Sequence, residues 1–230
     1  MRLRRKGLQV GISQYAGSKE CNGDSCKWTL LPDGRLAVAL SDGTGKGDAA
    51  AHESGRAVEA AVALLKAGMH PEMALQILNL LWAVNNRKEL FPTMDLALLD
   101  MTSRELVIYK NGAAPTAVVR APRCRPGFTG FTPPEKIEIL TSPAVPMGVS
   151  ESSEIPCIST LVMPGDRIIM MTDGIPDSDR RDPEMEWLCR MLTGIKSRDP
   201  QTVSDLIVRE AVLNYGDREK DDMTVAVVSF

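Results

Sequence analysis

Two stretches of this chain share one pattern. Leu36 to Ser41 leads into Asp42-Gly43, and Ile168 to Thr172 leads into Asp173-Gly174; each is an apolar run, then a hydroxyl residue, an aspartate and a glycine. A further acidic pair, Asp221-Asp222, precedes Met223-Thr224 and the apolar run Val225 to Val228, and Asn22-Gly23-Asp24 stands at the head of an early strand. A carboxylate fixed at a buried strand end is costly unless something positive meets it. Several such ends, distant in sequence but alike in form, are what carboxylates converging on cations would require. An aspartate beside an exposed glycine carbonyl offers two hard oxygen donors, which suit Mg²⁺ or Mn²⁺. Two such ions would activate a water for in-line attack on a phosphoryl group, so no Ser, Cys or His nucleophile is needed. A metal-dependent hydrolase is therefore the leading expectation, with Asp24, Asp42, Asp173 and Asp221 as its catalytic carboxylates.

The glycines at 43, 45 and 47 do not make a nucleotide loop. A Rossmann fingerprint would need glycine at 48, which is Asp48, and a Walker loop would need one at 40, which is Leu40. Each acidic residue also has a plain alternative: a turn after a strand for Asp42, a strand-end cap for Asp173, a solvated pair for Asp221 and Asp222, an Asx-turn for Asp24. Agreement between the two Asp-Gly pairs favours the site. Asp95 lies mid-strand and is either a support for an extra metal or a residue at an edge or core rim. His52 reads as a surface or capping residue, Lys46 as a solvated loop lysine, and Met170-Met171 as core filling.

These residues need strands to carry them. Period-two patterns and turn signals predict strands at 8–12, 25–30, 35–40, 94–99, 105–109, 117–120, 137–140, 158–162, 167–171 and 223–228. Asp48 to Lys66 reads as a helix with one apolar stripe, stopped near Gly68. Pro71 opens a second helix to about Asn85 that is apolar almost all round, so it is either core or covered by a partner. Two more helices are expected over 183–192 and 200–214, and 121–135 reads as a long Pro- and Gly-rich loop. Strands and helix pairs in blocks do not alternate as a parallel sheet would. The expected class is α+β: a four-layer αββα sandwich of two antiparallel sheets flanked by helices, with 1–7 as a linker stub and 8–230 as one domain.

The chain has 230 residues, 43% hydrophobic and 25% charged, with a formal charge of −3, which argues against a nucleic-acid partner. Five scattered cysteines without a CxxC pair, and only two histidines, make a zinc site or a disulfide framework a poor reading and fit a reducing, cytoplasmic setting. No run is long enough to cross a bilayer.

Asp24, Asp42-Gly43, Asp173-Gly174 and Asp221-Asp222-Met223-Thr224 resemble, in order and spacing, the metal motifs of the type 2C (PPM) protein Ser/Thr phosphatases. Within that family the resemblance is to the sporulation stage II protein E group. It extends to Phe91 to Ala97, Gly112-Ala113-Ala114-Pro115 and Pro146-Met147-Gly148. It implies two Mn²⁺ or Mg²⁺ ions, with a third as an option, and Asp24, Asp42, Gly43, Asp173, Asp221 and Asp222 as the metal set. In that family the residue matching Asp42 bridges both ions, that matching Gly43 donates its carbonyl, and that matching Asp24 holds a metal-bound water. The resemblance also implies a phosphorylated anti-sigma-factor antagonist as substrate, leading to activation of a sporulation sigma factor. A membrane-anchored or regulatory region upstream in the full-length protein is part of that implication, and a homodimer through helices near 48–86 is the candidate assembly. Thr44 stands where many animal members have a histidine, and no arginine near Lys19 or Glu20 matches their phosphate clamp. The alternatives are a non-catalytic regulatory or sensor module that kept the fold, and a metal-dependent phosphodiesterase or nuclease, which the acidic charge disfavours.

Overall fold

In the strands of this chain side chains alternate between two faces, and in Leu36–Ser41, Met94–Leu99, Arg167–Met171 and Met223–Ser229 both faces are buried. The computed structural model describes residues 8–17, 21–45, 47–85, 90–123, 136–150 and 155–230. The stub at 1–7, Lys19, Glu20, Lys46 and most of the 121–135 loop lie outside them.

Among the described residues the strands are β1 (Gln9–Tyr15), β2 (Ser25–Leu30), β3 (Leu36–Ser41), β4 (Met94–Leu99), β5 (Glu105–Asn111), β6 (Thr116–Arg120), β7 (Lys136–Leu140), β8 (Cys157–Leu161), β9 (Arg167–Met171) and β10 (Met223–Ser229). They form two five-stranded sheets, β1-β10-β9-β6-β7 and β2-β3-β4-β5-β8. Each pairing is antiparallel. The facing sides of the two sheets bury Val10, Leu36, Val38, Leu40, Ala97, Leu99, Leu106, Ile108, Val118, Ile168, Met170, Ala226 and Val228. The outer side of the second sheet packs Ala37, Ala39, Leu96 and Leu98 against helices α1 (Asp48–Lys66) and α2 (Pro71–Asn85). The outer side of the first sheet packs Ala117, Ile169, Val225 and Val227 against α3 (Glu186–Gly194) and α4 (Pro200–Tyr215). This is the αββα sandwich expected from the sequence, because β-branched and small residues on both strand faces leave each sheet with two sides to bury.

Three expectations need correction. The third helix starts at Glu186 rather than Pro183, because Met185 holds a left-handed φ of 56° and the Asp182 carboxylate accepts the Trp187 N–H at 2.7 Å. A short 3-10 turn at Pro176–Asp179, right after the Asp173 loop, was not anticipated. Helix α2 is not wholly core. Ala74, Leu75, Leu78 and Trp82 are buried, whereas Met73, Leu80, Leu81 and Val84 are 54%, 55%, 48% and 73% exposed. Helix α1 stops at Gly68 (φ 84°), as its sequence predicted.

Candidate metal centre

Strand directions bring the acidic positions to one rim of the sandwich. β3 ends at Ser41, so Asp42 and Gly43 emerge there. β2 runs antiparallel with Ser25 opposite Ser41, so Asp24, just before β2, emerges at the same place. In the other sheet β9 ends at Met171 opposite Val225 of β10, which puts Thr172-Asp173 beside Asp221-Asp222. The two halves are stitched together across this rim. Thr172 Oγ1 donates to Asp24 Oδ2 at 2.8 Å, and the Thr224 N–H donates to Thr172 Oγ1 at 2.8 Å.

Asp24 is buried, Asp42 and Asp221 are half-buried, and Asp173 sits at the mouth. Their carboxyls perturb one another. Asp42 is pushed up to about 9 by burial and by the charges of Asp173, Asp24 and Asp221. Asp173 is raised to about 6 by desolvation of its carboxyl, although the residue as a whole keeps exposed surface, and by Asp221 and Asp177. Asp24 is also raised to about 6, first by burial and in part by Asp222, with the Thr172 hydroxyl acting against it. Four acids so placed repel each other unless protons or cations intervene. Asp24, Asp42, Asp173 and Asp221 are thus brought together.

The surrounding bonds show what each neighbour does. The Asp42 backbone is fixed on both sides by Thr93: Asp42 N–H donates to Thr93 Oγ1 at 2.9 Å, and Thr93 N–H donates to Asp42 O at 2.9 Å. Gly43 must be glycine, since a Cβ there would lie 2.2 Å from Ala50 O of α1; at Gly174 one would lie 2.1 Å from Asp222 O. Thr44 donates to Phe91 O at 2.6 Å and accepts the Phe91 N–H at 3.2 Å, so it closes the loop. Asp222 differs from Asp221. Its Oδ1 accepts Gly17 N–H and its Oδ2 accepts Gly23 N–H, both at 2.7 Å, so it ties the early loop to the last strand. His52 is exposed beside Glu53, as expected of a surface residue.

Sequence reasoning missed two charged groups near this rim. Arg218 lies 4.8 Å over the Tyr215 ring and donates to Ser178 O. Tyr215 is raised to about 12, first by burial and then by the charges of Asp221, Asp177 and Asp173, so the ring beneath this guanidinium lies toward the acidic cluster. The second is Lys110, fully buried. Its Nζ donates to Asp95 Oδ2 at 2.6 Å and to Thr116 Oγ1 at 3.0 Å. Asp95 is therefore no edge or rim residue but part of a buried ion pair. An Asp and a Lys directly opposite on predicted neighbours 94–99 and 105–109 were a usable signal, had the second strand been extended by one residue.

Among the described residues, no three acidic, histidine or cysteine side chains already stand around one point as ligands. The donor set nonetheless fits a hard divalent ion. It consists of carboxylates and a glycine carbonyl, its members repel one another, and Asp24 Oδ1 is buried without a hydrogen-bond partner.

A family model described as Stage II sporulation protein E (SpoIIE) matches residues 32–230. The chain belongs to that family. It is 28% identical over 222 residues to stage II sporulation protein E of Priestia megaterium, a match covering 96% of this chain. The chain spans 36% of that relative's length. The PP2C phosphatase domain of SpoIIE from Bacillus subtilis, solved with a fragment of its regulatory domain, superposes with a TM-score of 0.84 at 25% identity, over 96% of this chain and 63% of that one. RsbX, solved in complex with magnesium, shares the fold at a TM-score of 0.67 and 16% identity, over 99% of this chain and 98% of that one. The family and fold are those of PP2C-type protein phosphatases. No helix among the described residues is long and apolar enough to cross a membrane.

Proposed function

We propose that this chain is a Mn²⁺- or Mg²⁺-dependent protein serine phosphatase acting on a phosphorylated anti-sigma-factor antagonist, and so activating a sporulation sigma factor. The observation that supports the reading is the convergence of Asp24 and Asp42 from one sheet with Asp173 and Asp221 from the other on a single rim, joined by the Thr172–Asp24 hydrogen bond. Magnesium in the similarly folded RsbX supports a divalent ion.

In this reading Asp42, Asp173, Asp221 and the Gly43 carbonyl hold the ions, and Asp24, oriented by Thr172, serves the same cluster. Asp222 is the second acidic donor of the predicted set; its two amide bonds favour a clamp that fixes Asp221. Bound ions would supply Lewis acidity toward phosphoryl oxygens and acidify a water to near neutrality. Thr93 bonds the Asp42 backbone on both sides, which would hold the Asp42 carboxylate in one position toward a bound ion. Arg218, stacked on Tyr215, is the candidate cation for a substrate phosphate oxygen. The pocket behind the acids, lined by Asp42, Thr93, Asp95, Thr172 and Asp173, has room for about one water.

The exposed apolar face of α2 is the candidate surface for a homodimer, and an upstream regulatory or membrane-anchored region would act through the same helices. The test of function is turnover of p-nitrophenyl phosphate and of a phosphorylated antagonist protein, with and without Mn²⁺, in wild type, Asp42→Ala and Asp173→Ala. Mn²⁺-dependent turnover that both substitutions abolish is expected. Equal turnover in all three proteins would leave the non-catalytic sensor module as the better reading.

A further inference from the structure

The facing sides of the two sheets are apolar in their middle, and one of their polar ends lies beneath the acidic rim. On β4 the inward series runs Leu99, Ala97, Asp95; on β5 it runs Leu106, Ile108, Lys110; on β6 it runs Val118, Thr116. The three polar residues meet. Lys110 Nζ donates to Asp95 Oδ2 at 2.6 Å, and Thr116 Oγ1 donates to the same oxygen at 2.9 Å. Asp95 and Lys110 side chains are each 1% exposed. A buried pair of this kind rarely stabilises a fold, and apolar residues of similar volume are often neutral or better. Its position points to another use. Asp95 lies across β3 from Leu40, two residues before Asp42. Asp95 Oδ1 has no hydrogen-bond partner, and Asp95 lines the small pocket whose other walls include Asp42, Thr93, Thr172 and Asp173.

We propose that Asp95 and Lys110 form a positioning pair behind the metal centre, which sets the placement of Asp42 and Asp173 and thereby the affinity for the divalent ion. This rests on the metal-dependent reading above. Lys110 holds one oxygen of Asp95, so the other is kept facing the pocket. A group the size of one water fits there and can join Asp95 Oδ1 to the walls of the pocket. Thr116 belongs to the opposite sheet from Asp95 and Lys110, so the same three residues also fix how the two sheets meet beneath the site. Partners standing behind metal-binding carboxylates typically change metal affinity about 10–100-fold when removed.

The experiment is calorimetric titration of MnCl₂ into the wild-type chain and into the double variant Asp95→Leu with Lys110→Met, with the melting temperature of each measured metal-free. The double variant is expected to melt near the wild type but to bind Mn²⁺ about 10–100-fold more weakly, and added Mn²⁺ should restore its p-nitrophenyl phosphate turnover. Wild-type affinity in a folded double variant would overturn the inference and leave the pair purely structural. Should the double variant not fold, Thr116→Val is read in the same titration: weaker Mn²⁺ binding supports the pair's role, and unchanged binding overturns it. A wild-type chain that binds no Mn²⁺ would instead bring down the metal-dependent function itself.

Discussion

The roles of single residues follow from how little room the rim leaves. Gly43→Ala places a methyl against Ala50 O, an approach of 2.2 Å that backbone cannot yield without shifting the start of α1. We expect Gly43→Ala to weaken Mn²⁺ binding severalfold and to lower stability by about 1–3 kcal/mol, as overpacking does, seen together in calorimetry and thermal melts. Arg218→Ala should raise KM for a phosphoprotein while leaving Mn²⁺ affinity at the wild-type value; a change confined to Mn²⁺ affinity would remove it from substrate binding. Asp42 and Asp173 were legible in the sequence because an apolar run ending in Asp-Gly marks a strand that stops at a tight, donor-bearing turn. The Asp222 clamp was not, since its partners are the amides of Gly17 and Gly23, the latter 199 residues away, and nothing in a local pattern names them.

At the scale of elements, helix α2 is held to the sheet side by more than its apolar stripe. Asn79 on α2 accepts the Gly148 N–H at 2.9 Å and donates to Ser150 O at 2.8 Å, and Met147 N–H donates to Pro92 O at 3.0 Å in the segment just before Thr93. Asn79→Leu removes two part-buried hydrogen bonds and should cost about 2 kcal/mol in urea unfolding. The outer face of α2 makes a separate prediction. Replacing Leu80 and Leu81 together by serine should reduce self-association in sedimentation without lowering the monomer's melting point; identical sedimentation of variant and wild type would argue against this face as a dimer surface. The sequence showed that α2 was apolar all round but could not say which half meets the core. Burial of Leu75, Leu78 and Trp82 is decided by where α1 and the sheet lie. The late start of α3 was illegible for a similar reason, as Asp182 supplies its cap from outside the helical pattern.

Across the whole molecule the two ends of the sandwich are fastened differently. Away from the acidic rim, Asp166 has no exposed side-chain surface. Burial alone would raise its carboxyl, but the N–H groups of Ala121 and Met163, with Arg120 and Arg123, hold it below its ordinary 3.8. Arg120 also reaches Thr160 and Glu138, so the cluster joins both sheets. A depressed folded value gives stability that is present above the unfolded value and lost as pH falls through the folded one. Asp166→Ala should therefore cost about 3 kcal/mol near neutrality. The gap to wild type should close as pH drops below about 4; a gap that stays constant across that range would mean the ionised carboxylate is not its source. At the other end, Mn²⁺ at a hundred times its dissociation constant should add about 2.7 kcal/mol, read as a rise in melting temperature that Asp42→Ala abolishes. The αββα plan was readable because strand and helix blocks do not alternate. The ion pair of Asp95 and Lys110 was not, because the expected strand stopped at Tyr109, one residue short of Lys110, and the Thr116 hydroxyl that joins the pair comes from the opposite sheet.

The stitch from Thr172 to Asp24 spans 148 residues, and that from Asp222 to Gly23 spans 199. Contacts of such long sequence separation form late and slowly, after loop-closure entropy has been overcome. During synthesis, a growing chain that has exposed Asp24 and Asp42 holds only half of the acidic wall, and under the proposed function an ion would be captured only once β10 has docked. Metal loading would then act as a checkpoint for completed assembly, and an incompletely folded copy would stay silent toward phosphate esters.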